Sequence, residues 1–257
     1  MKNHLCVTYQ SENLHPLAEQ LSSQHQLGCH ADGKGSTDLA LNFTEQYLEL
    51  RDLTANTGIH VDFLAGALAH RRKYGGGRGQ TLARAIGMKQ GKPIPSVIDA
   101  TAGLAKDAYV LATLGCPVTL IERSFAVAAL VDDAIQRAAV DSDFNTLLTR
   151  GFKLVQDNAI EYLSRLTSDQ QVDVIYLDPM YPERKKSSQV KKNMQILQKL
   201  LGQDMDTQDL LEQALKAARK RVVVKRPRGA ETINSTQPTL CYESKNTRYD
   251  VYVITAI

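Results

Sequence analysis

No apolar run in this sequence is long enough to span a bilayer. The opening residues Met1-Lys2-Asn3-His4-Leu5-Cys6 lack the apolar core of a signal peptide. Cysteine is scarce: Cys6, Cys29, Cys116 and Cys241 are scattered, with no Cys-x-x-Cys pair. That spacing suggests neither a disulfide framework nor a zinc site, so no metal and no membrane partner are expected. A reducing cytoplasm is the simplest compartment. Net charge is +3, which excludes a bulk polycation. No internal repeat or low-complexity tract is present. What remains is an ordinary globular composition, 43% hydrophobic and 23% charged. The 257 residues suffice for one large domain, or for a large and a small one.

Positive charge is clustered rather than abundant. Arg71-Arg72-Lys73, Arg78, Arg84, Lys89 and Lys92 form one group. Arg184-Lys185-Lys186 with Lys191-Lys192 form a second, and Lys225, Arg226 and Arg228 a third. Such groups on a nearly neutral chain are the footprint expected of phosphate contacts. A solvated helix face explains most charge runs taken singly.

From residue 96 onward, strands and helices alternate. Strands are expected at 96–100, 118–122, 152–157, 172–177 and 221–225, with helical sequence between them. Two further strands, 239–243 and 249–255, flank a short polar turn and read as a hairpin. The pattern predicts an α/β fold, a mostly parallel, doubly wound sheet finishing in an antiparallel hairpin. That is the ordering of class I (Rossmann-like) methyltransferases. Residues 93–257 would form this domain, and residues 1–92 a small N-terminal α+β subdomain. Within the latter, a strand is expected near 5–9, a helix near 14–24 and helical sequence over 62–71. Gly75–Gly79 reads as a flexible, cation-bearing loop.

Asp178-Pro179-Met180-Tyr181-Pro182 follows the fourth strand and is the most informative stretch. Asp178 and Tyr181 both precede prolines, which biases them toward extended backbone. A carboxylate, the Pro179 carbonyl and a flat ring at one strand tip suit an exocyclic aromatic amine. The N–H groups find acceptors and the base finds a stacking partner. Asp-Pro is also a common turn starter, so the motif alone is an even choice between turn and site.

Its neighbours decide. Asp99-Ala100-Thr101-Ala102-Gly103-Leu104-Ala105-Lys106-Asp107 links the first strand to its helix. Small residues there let the backbone approach a ligand. A dinucleotide fingerprint wants three glycines, and this turn offers Gly103, while Asp99 and Asp107 would repel a pyrophosphate. S-adenosylmethionine, with its ammonium and sulfonium, fits better than NAD. Glu122 closes the second strand, where an acid accepts ribose hydroxyls. Asp157 and Asn158 close the third, where adenine-edge contacts would fall. Ligands of open α/β sheets bind at these strand ends. Rival readings are a Rossmann NAD-dependent oxidoreductase, an amine methyltransferase acting on adenine or DNA, and a silent RNA-binding module.

Several of these stretches resemble the RsmJ (YhiQ) family of ribosomal RNA methyltransferases. They are Asp99–Gly103, Glu122-Arg123, Asp178–Pro182, Lys185-Lys186-Ser187 and the block His70-Arg71-Arg72-Lys73-Tyr74-Gly75-Gly76-Gly77-Arg78-Gly79. The resemblance implies methylation, from S-adenosylmethionine, of the N2 amine of guanine-1516 near the 3′ end of 16S rRNA. Its partner would be 16S rRNA or the small ribosomal subunit, and a monomer is expected. The cofactor-binding set it implies, joined to the turn residues above, is Asp99, Ala100, Gly103, Lys106, Asp107, Glu122, Arg123, Asn158, Ala159 and Asp178. Asp178, Pro179 and Tyr181 would be catalytic. Arg71, Arg72, Lys73, Arg78, Lys185 and Lys186 would hold RNA. The family usually has Gly and Arg at the positions of Ala105 and Lys106, and small polar residues at Asn158-Ala159.

Overall fold

A computed structural model describes residues 5–31, 37–65, 77–180, 188–202, 206–233 and 236–255, without the side chains of 78 and 188–193. The chain divides into two compact units. One comprises Met1–Val61, Ala129–Arg137 and Pro182–Gln203; the other comprises Asp62–Ala128, Ala138–Tyr181 and Asp204–Ile257.

The first unit is built on a five-stranded sheet. Its strands are β1 (Leu5–Tyr9), β2 (Cys29–Ala31), β3 (Leu39–Phe43), β4 (Leu48–Asp52) and β5 (Thr57–Ile59), in the order β2-β1-β3-β4-β5. β1 runs parallel to β2 and β3, and β4 is antiparallel to β3 and β5. Helix α1 (His15–His25) starts with Pro16 in its first turn, where a missing N–H costs nothing. Buried polar groups are satisfied in series. Thr8 donates to Asn42 at 2.8 Å, and the Asn42 amide donates to Glu49 at 3.0 Å.

The second unit carries the sheet expected from the sequence. A 3-10 turn (Gly77–Gly79) and the short α2 (Thr81–Ala85) precede it. Its strands are β6 (Val97–Asp99), β7 (Val118–Glu122), β8 (Lys153–Gln156), β9 (Val174–Leu177), β10 (Arg221–Pro227), β11 (Leu240–Glu243) and β12 (Thr247–Val253). Its order is β11-β12-β10-β9-β6-β7-β8. β10, β9, β6, β7 and β8 are parallel, and β12 inserts antiparallel between β10 and β11. The helices that follow these strands along the chain are α3 (Lys106–Thr113), α4 (Phe125–Ala138), α5 (Ser142–Thr149), α6 (Ala159–Ser164), α7 (Ser188–Leu201) and α8 (Thr207–Ala217), of which α7 and residues Ala129–Arg137 of α4 belong to the first unit. The doubly wound sheet with its terminal hairpin is therefore observed. Chain order reverses beside β6, which makes its carboxyl end a topological switch point.

Ile98, Ile121, Ile175, Leu177, Val222 and Val224 project from these strands into a core completed by Leu210, Leu211 and Ala214 of α8. A second cluster joins Phe63, Tyr109, Phe144 and Phe152, with Phe63 5.0 Å from Tyr109 and 5.2 Å from Phe144 between ring centroids. Four aromatic rings at such spacings contribute beyond their buried area. Gly115, at φ +104°, stops α3 as its glycine suggests, with its N–H donating to the Ala112 carbonyl at 2.9 Å.

Some local expectations shift. Residues 63–65 are bends rather than helix, because Asp62 accepts from the Leu64 and Ala65 N–H groups; 66–71 lie outside the described residues. Among the described residues, no helix is long and apolar enough to cross a membrane. All four cysteines carry free thiols.

Candidate active site

Four acids meet at or just beyond the carboxyl ends of neighbouring parallel strands. Asp99 is the last residue of β6 and Glu122 the last of β7, while Asp157 follows β8 and Asp178 follows β9. β6 ends early, and the chain then crosses its neighbours. The Ala100 N–H donates to the Tyr176 carbonyl at 2.9 Å, and the Ala102 N–H to the Ile121 carbonyl at 3.1 Å. These bonds replace the sheet ladder and hold the turn between β9 and β7.

Gly103 and Ala105 both take positive φ, +50° and +58°. Glycine adopts this conformation freely, whereas for alanine it costs about 1–2 kcal/mol. Ala105 is buried, and its N–H donates to the Ala102 carbonyl at 2.8 Å, so packing holds the strained turn.

Glu122 is 7% exposed. One of its oxygens accepts the Gly103 N–H at 2.9 Å and the other the Ser124 N–H at 2.8 Å. These two bonds fix the direction of the carboxylate at the end of β7. Asp99 is buried and accepts the Thr101 N–H at 3.2 Å. Burial pushes its carboxyl well above the usual carboxylate range, and Asp107 and Asp178 add to that; the Thr101 N–H and Lys225 offset part of it.

Asp178 is anchored at both ends. Its N–H donates to the Thr101 hydroxyl at 2.5 Å, and Lys225 Nζ donates to its carboxylate at 2.7 Å. Lys225 also donates to Asp107 at 2.7 Å, and the buried Tyr176 hydroxyl donates to the same Asp107 oxygen at 2.7 Å. Burial alone would lower the Lys225 pKa, but Asp178 and Asp107 more than reverse this, so the ammonium is held above its usual range. Tyr176 is pushed up by burial and by the same two acids, which keeps its phenol a neutral donor.

The remaining site residues fall as follows. Lys106 opens α3, exposed, with Asp107 beside it in the first turn. Arg123 pairs with Asp206 at 2.8 Å. Asp157 accepts from Arg165 and from the Asn158 N–H. Asn158 caps α6, its side-chain oxygen accepting from Ile160 and Glu161, so its side-chain amide nitrogen is the group left to meet a ligand acceptor. Ala159 begins α6, and Pro179 is buried beside Asp178. Tyr181, Lys185, Lys186, Arg71, Arg72 and Lys73 lie outside the described residues, and the side chain of Arg78 does too.

Lys225 and Arg226 depart from the phosphate footprint that their sequence suggests, whereas Arg228 is exposed. Lys225 is engaged as above, Arg226 is 5% exposed with Asp250 4.0 Å away, and Arg228 pairs with Glu243 at 3.0 Å. The sequence carried no local sign of this, since Asp107 and Asp250 sit far along the chain in opposite directions.

Residues 20–254 match SAM_MT, a family of SAM-dependent methyltransferases. Ribosomal RNA small subunit methyltransferase J of Aeromonas hydrophila is 49% identical over 247 residues, covering 94% of this chain and 95% of that protein. The chain belongs to this methyltransferase family. The protein of the same name from Shewanella baltica is 48% identical over 226 residues, covering 88% of this chain and 90% of that one. A crystal structure of a SAM-dependent methyltransferase from Neisseria gonorrhoeae superposes with a TM-score of 0.71 at 33% identity, covering 96% and 95% of the two chains.

The cofactor of this family is S-adenosylmethionine, and the site's chemistry fits it. Carboxylates at successive strand tips suit its hydroxyls, ammonium and adenine amine. A Cβ built on Gly103 would meet no atom nearer than the Thr101 carbonyl oxygen at 3.9 Å, so the turn leaves space there. Gly103→Val is expected to weaken S-adenosylmethionine binding at least tenfold by calorimetry, beyond a stability loss of about 1–2 kcal/mol from its positive φ. Unchanged affinity would remove this turn from the cofactor site.

Proposed function

We propose that this chain methylates the exocyclic N2 amine of a guanine near the 3′ end of 16S rRNA, guanine-1516. The observation that carries the reading is Asp178, fixed at the β9 tip by Thr101 and Lys225, one strand from the cofactor turn. Relatives 48–50% identical carry the name ribosomal RNA small subunit methyltransferase J, which supports the RNA class.

Bound S-adenosylmethionine supplies an electrophilic methyl group on a sulfonium. The residues mostly provide approach and orientation. An aromatic amine is a poor nucleophile because its lone pair is delocalised into the ring. The Asp178 carboxylate and the Pro179 carbonyl accept its two N–H bonds and turn the lone pair toward the methyl carbon. The same acceptors stabilise positive charge developing on nitrogen. Asp178 would accept the N–H proton that the amine sheds once it carries the methyl group. Tyr181 stacks on the base, worth about 1–3 kcal/mol. A base in this pocket has left its helical stack.

The basic block Arg71, Arg72, Lys73 and Arg78, with Lys185 and Lys186, grips phosphates, which makes residues 1–92 part of the RNA-contacting surface. Neutralising Arg71 and Arg72 is expected to weaken RNA binding and to flatten the slope of log affinity against log salt by about one per lost contact. An unchanged slope would count against that role. One chain supplies the whole acid set, so a monomer suffices, acting in the cytoplasm on 16S rRNA or the small ribosomal subunit.

The deciding experiment uses 16S rRNA and small subunits lacking the modification, with nucleoside mass spectrometry and mapping of the product. N2-methylguanosine at one position supports the proposal. N6-methyladenosine, or no transfer to either substrate, would overturn it.

A further inference from the structure

We propose that Lys225 is the positioning residue of the amine-holding site, orienting Asp178 through a bridge shared with Asp107 rather than contacting an RNA phosphate. The inference rests on the reading that Asp178 accepts the amine.

β10 outruns β9. Val224 is the last β10 residue paired with β9, opposite Leu177, so Lys225 stands beside the turn where β9 releases Asp178. On its other side Lys225 pairs with Tyr249 of β12, which holds its backbone in register one residue beyond the end of the β9 ladder. An ammonium has three donors, and two are committed, each at 2.7 Å, to Asp107 and Asp178. Asp107 is in turn held by Tyr176, whose ring is fully buried in β9. Two carboxylates thus converge on one nitrogen, Asp107 from the first turn of α3 and Asp178 from the tip of β9, with Tyr176 bracing the first of them.

The arrangement answers a specific difficulty. Asp107 and Asp178 approach the same point at one end of the sheet, where two carboxylates without a cation between them would repel. A lysine between them offsets that repulsion and directs the Asp178 carboxylate. A phosphate-binding lysine has its ammonium in solvent and steers by charge at a distance. Lys225 is 27% exposed at the side chain and closely paired on two sides. The carboxylate of Asp178 is 38% exposed, so the acid faces outward while the lysine stays behind it.

The test compares Lys225→Met, Lys225→Arg and Asp178→Asn in the full chain, on small-subunit RNA lacking the modification. Lys225→Met is expected to lower kcat roughly 100-fold, in line with losing one preorganised polar group. S-adenosylmethionine affinity, RNA affinity and the salt slope of RNA binding should stay at wild-type values. Lys225→Arg should recover about a tenth of the wild-type rate, because a guanidinium can span both carboxylates. Adding Asp178→Asn to Lys225→Met should cost little more, as expected of residues acting as a unit. Wild-type kcat in Lys225→Met would overturn the inference, and so would a salt slope flattened by about one. Full activity in Asp178→Asn would sink the amine-holding reading itself. Activity lost in Asp178→Asn but kept in Lys225→Met would sink the lysine's role alone. Should Lys225→Met fail to fold, Lys225→Gln, which removes the charge but keeps a hydrogen-bond donor, carries the same comparison.

Discussion

Asp178→Asn is expected to lower kcat for methyl transfer roughly 10²–10³-fold, the scale for removing one preorganised electrostatic group, with cofactor binding retained. The substitution keeps shape and one acceptor oxygen, so a purely steric role would be spared. It replaces the second oxygen with an NH2 donor that must face either the Lys225 ammonium or an amine N–H of the base, and both are donors. It also removes the negative charge that stabilises the alkylated nitrogen. The Asp178 N–H bond to Thr101 involves the backbone and survives, so the strand tip keeps its course. Single-turnover transfer alongside a thermal melt separates lost chemistry from lost fold.

Glu122→Ala should act on the other half of the site. Its carboxylate sits at the end of β7, the place from which an acid in a doubly wound sheet reaches ribose hydroxyls. Hydrogen bonds to a charged group contribute about 1.5–3 kcal/mol each, so losing this acceptor should raise the S-adenosylmethionine Kd about 10–100-fold. The same change strips the Gly103 and Ser124 N–H groups of their acceptor. Each donor left buried costs about 1–3 kcal/mol, so the melting temperature should fall as well. Glu122→Gln keeps one acceptor oxygen and the packing, and should weaken binding less while leaving stability closer to wild type. Equal cofactor affinity across all three proteins would take Glu122 out of the cofactor site.

Strand and helix identities were legible wherever a branched apolar run met a clear stop. Val172–Leu177, read as a strand, is observed as Val174–Leu177, and Val118–Glu122 is found at the same bounds. Between the helix expected after β7 and the strand at 152–157, no separate element is expected from the sequence, whereas the Asp141 side chain starts α5 there by accepting the Phe144 N–H. The hairpin was visible in the short polar turn between its strands. Its insertion of β12 against β10 was not, because the Val223–Val251 pairing joins residues whose local patterns do not refer to each other.

In the site, the four strand-tip acids were readable because each ends its own strand. The role of Lys225 was not readable. Next to Arg226 and Arg228 it resembles a solvent-facing patch, and its partners come from two other elements, 47 and 118 residues away. Such a bridge is a property of strand order, which no local window contains. The same holds for Thr101, a small residue in a permissive turn by sequence and the hydroxyl that receives the Asp178 N–H in the fold.

On the proposed reading the strand tips divide into a cofactor half around Glu122 and an amine half around Asp178, so the cofactor contact that the resemblance implies for Asp178 is not made by its carboxylate. The most direct measurement of that division is calorimetric titration of S-adenosylmethionine into Asp178→Asn and Glu122→Ala side by side. The predicted result is near wild-type affinity for the Asp178 variant and affinity at least about tenfold weaker for the Glu122 variant. Equal weakening of both, or the reverse order, would contradict it.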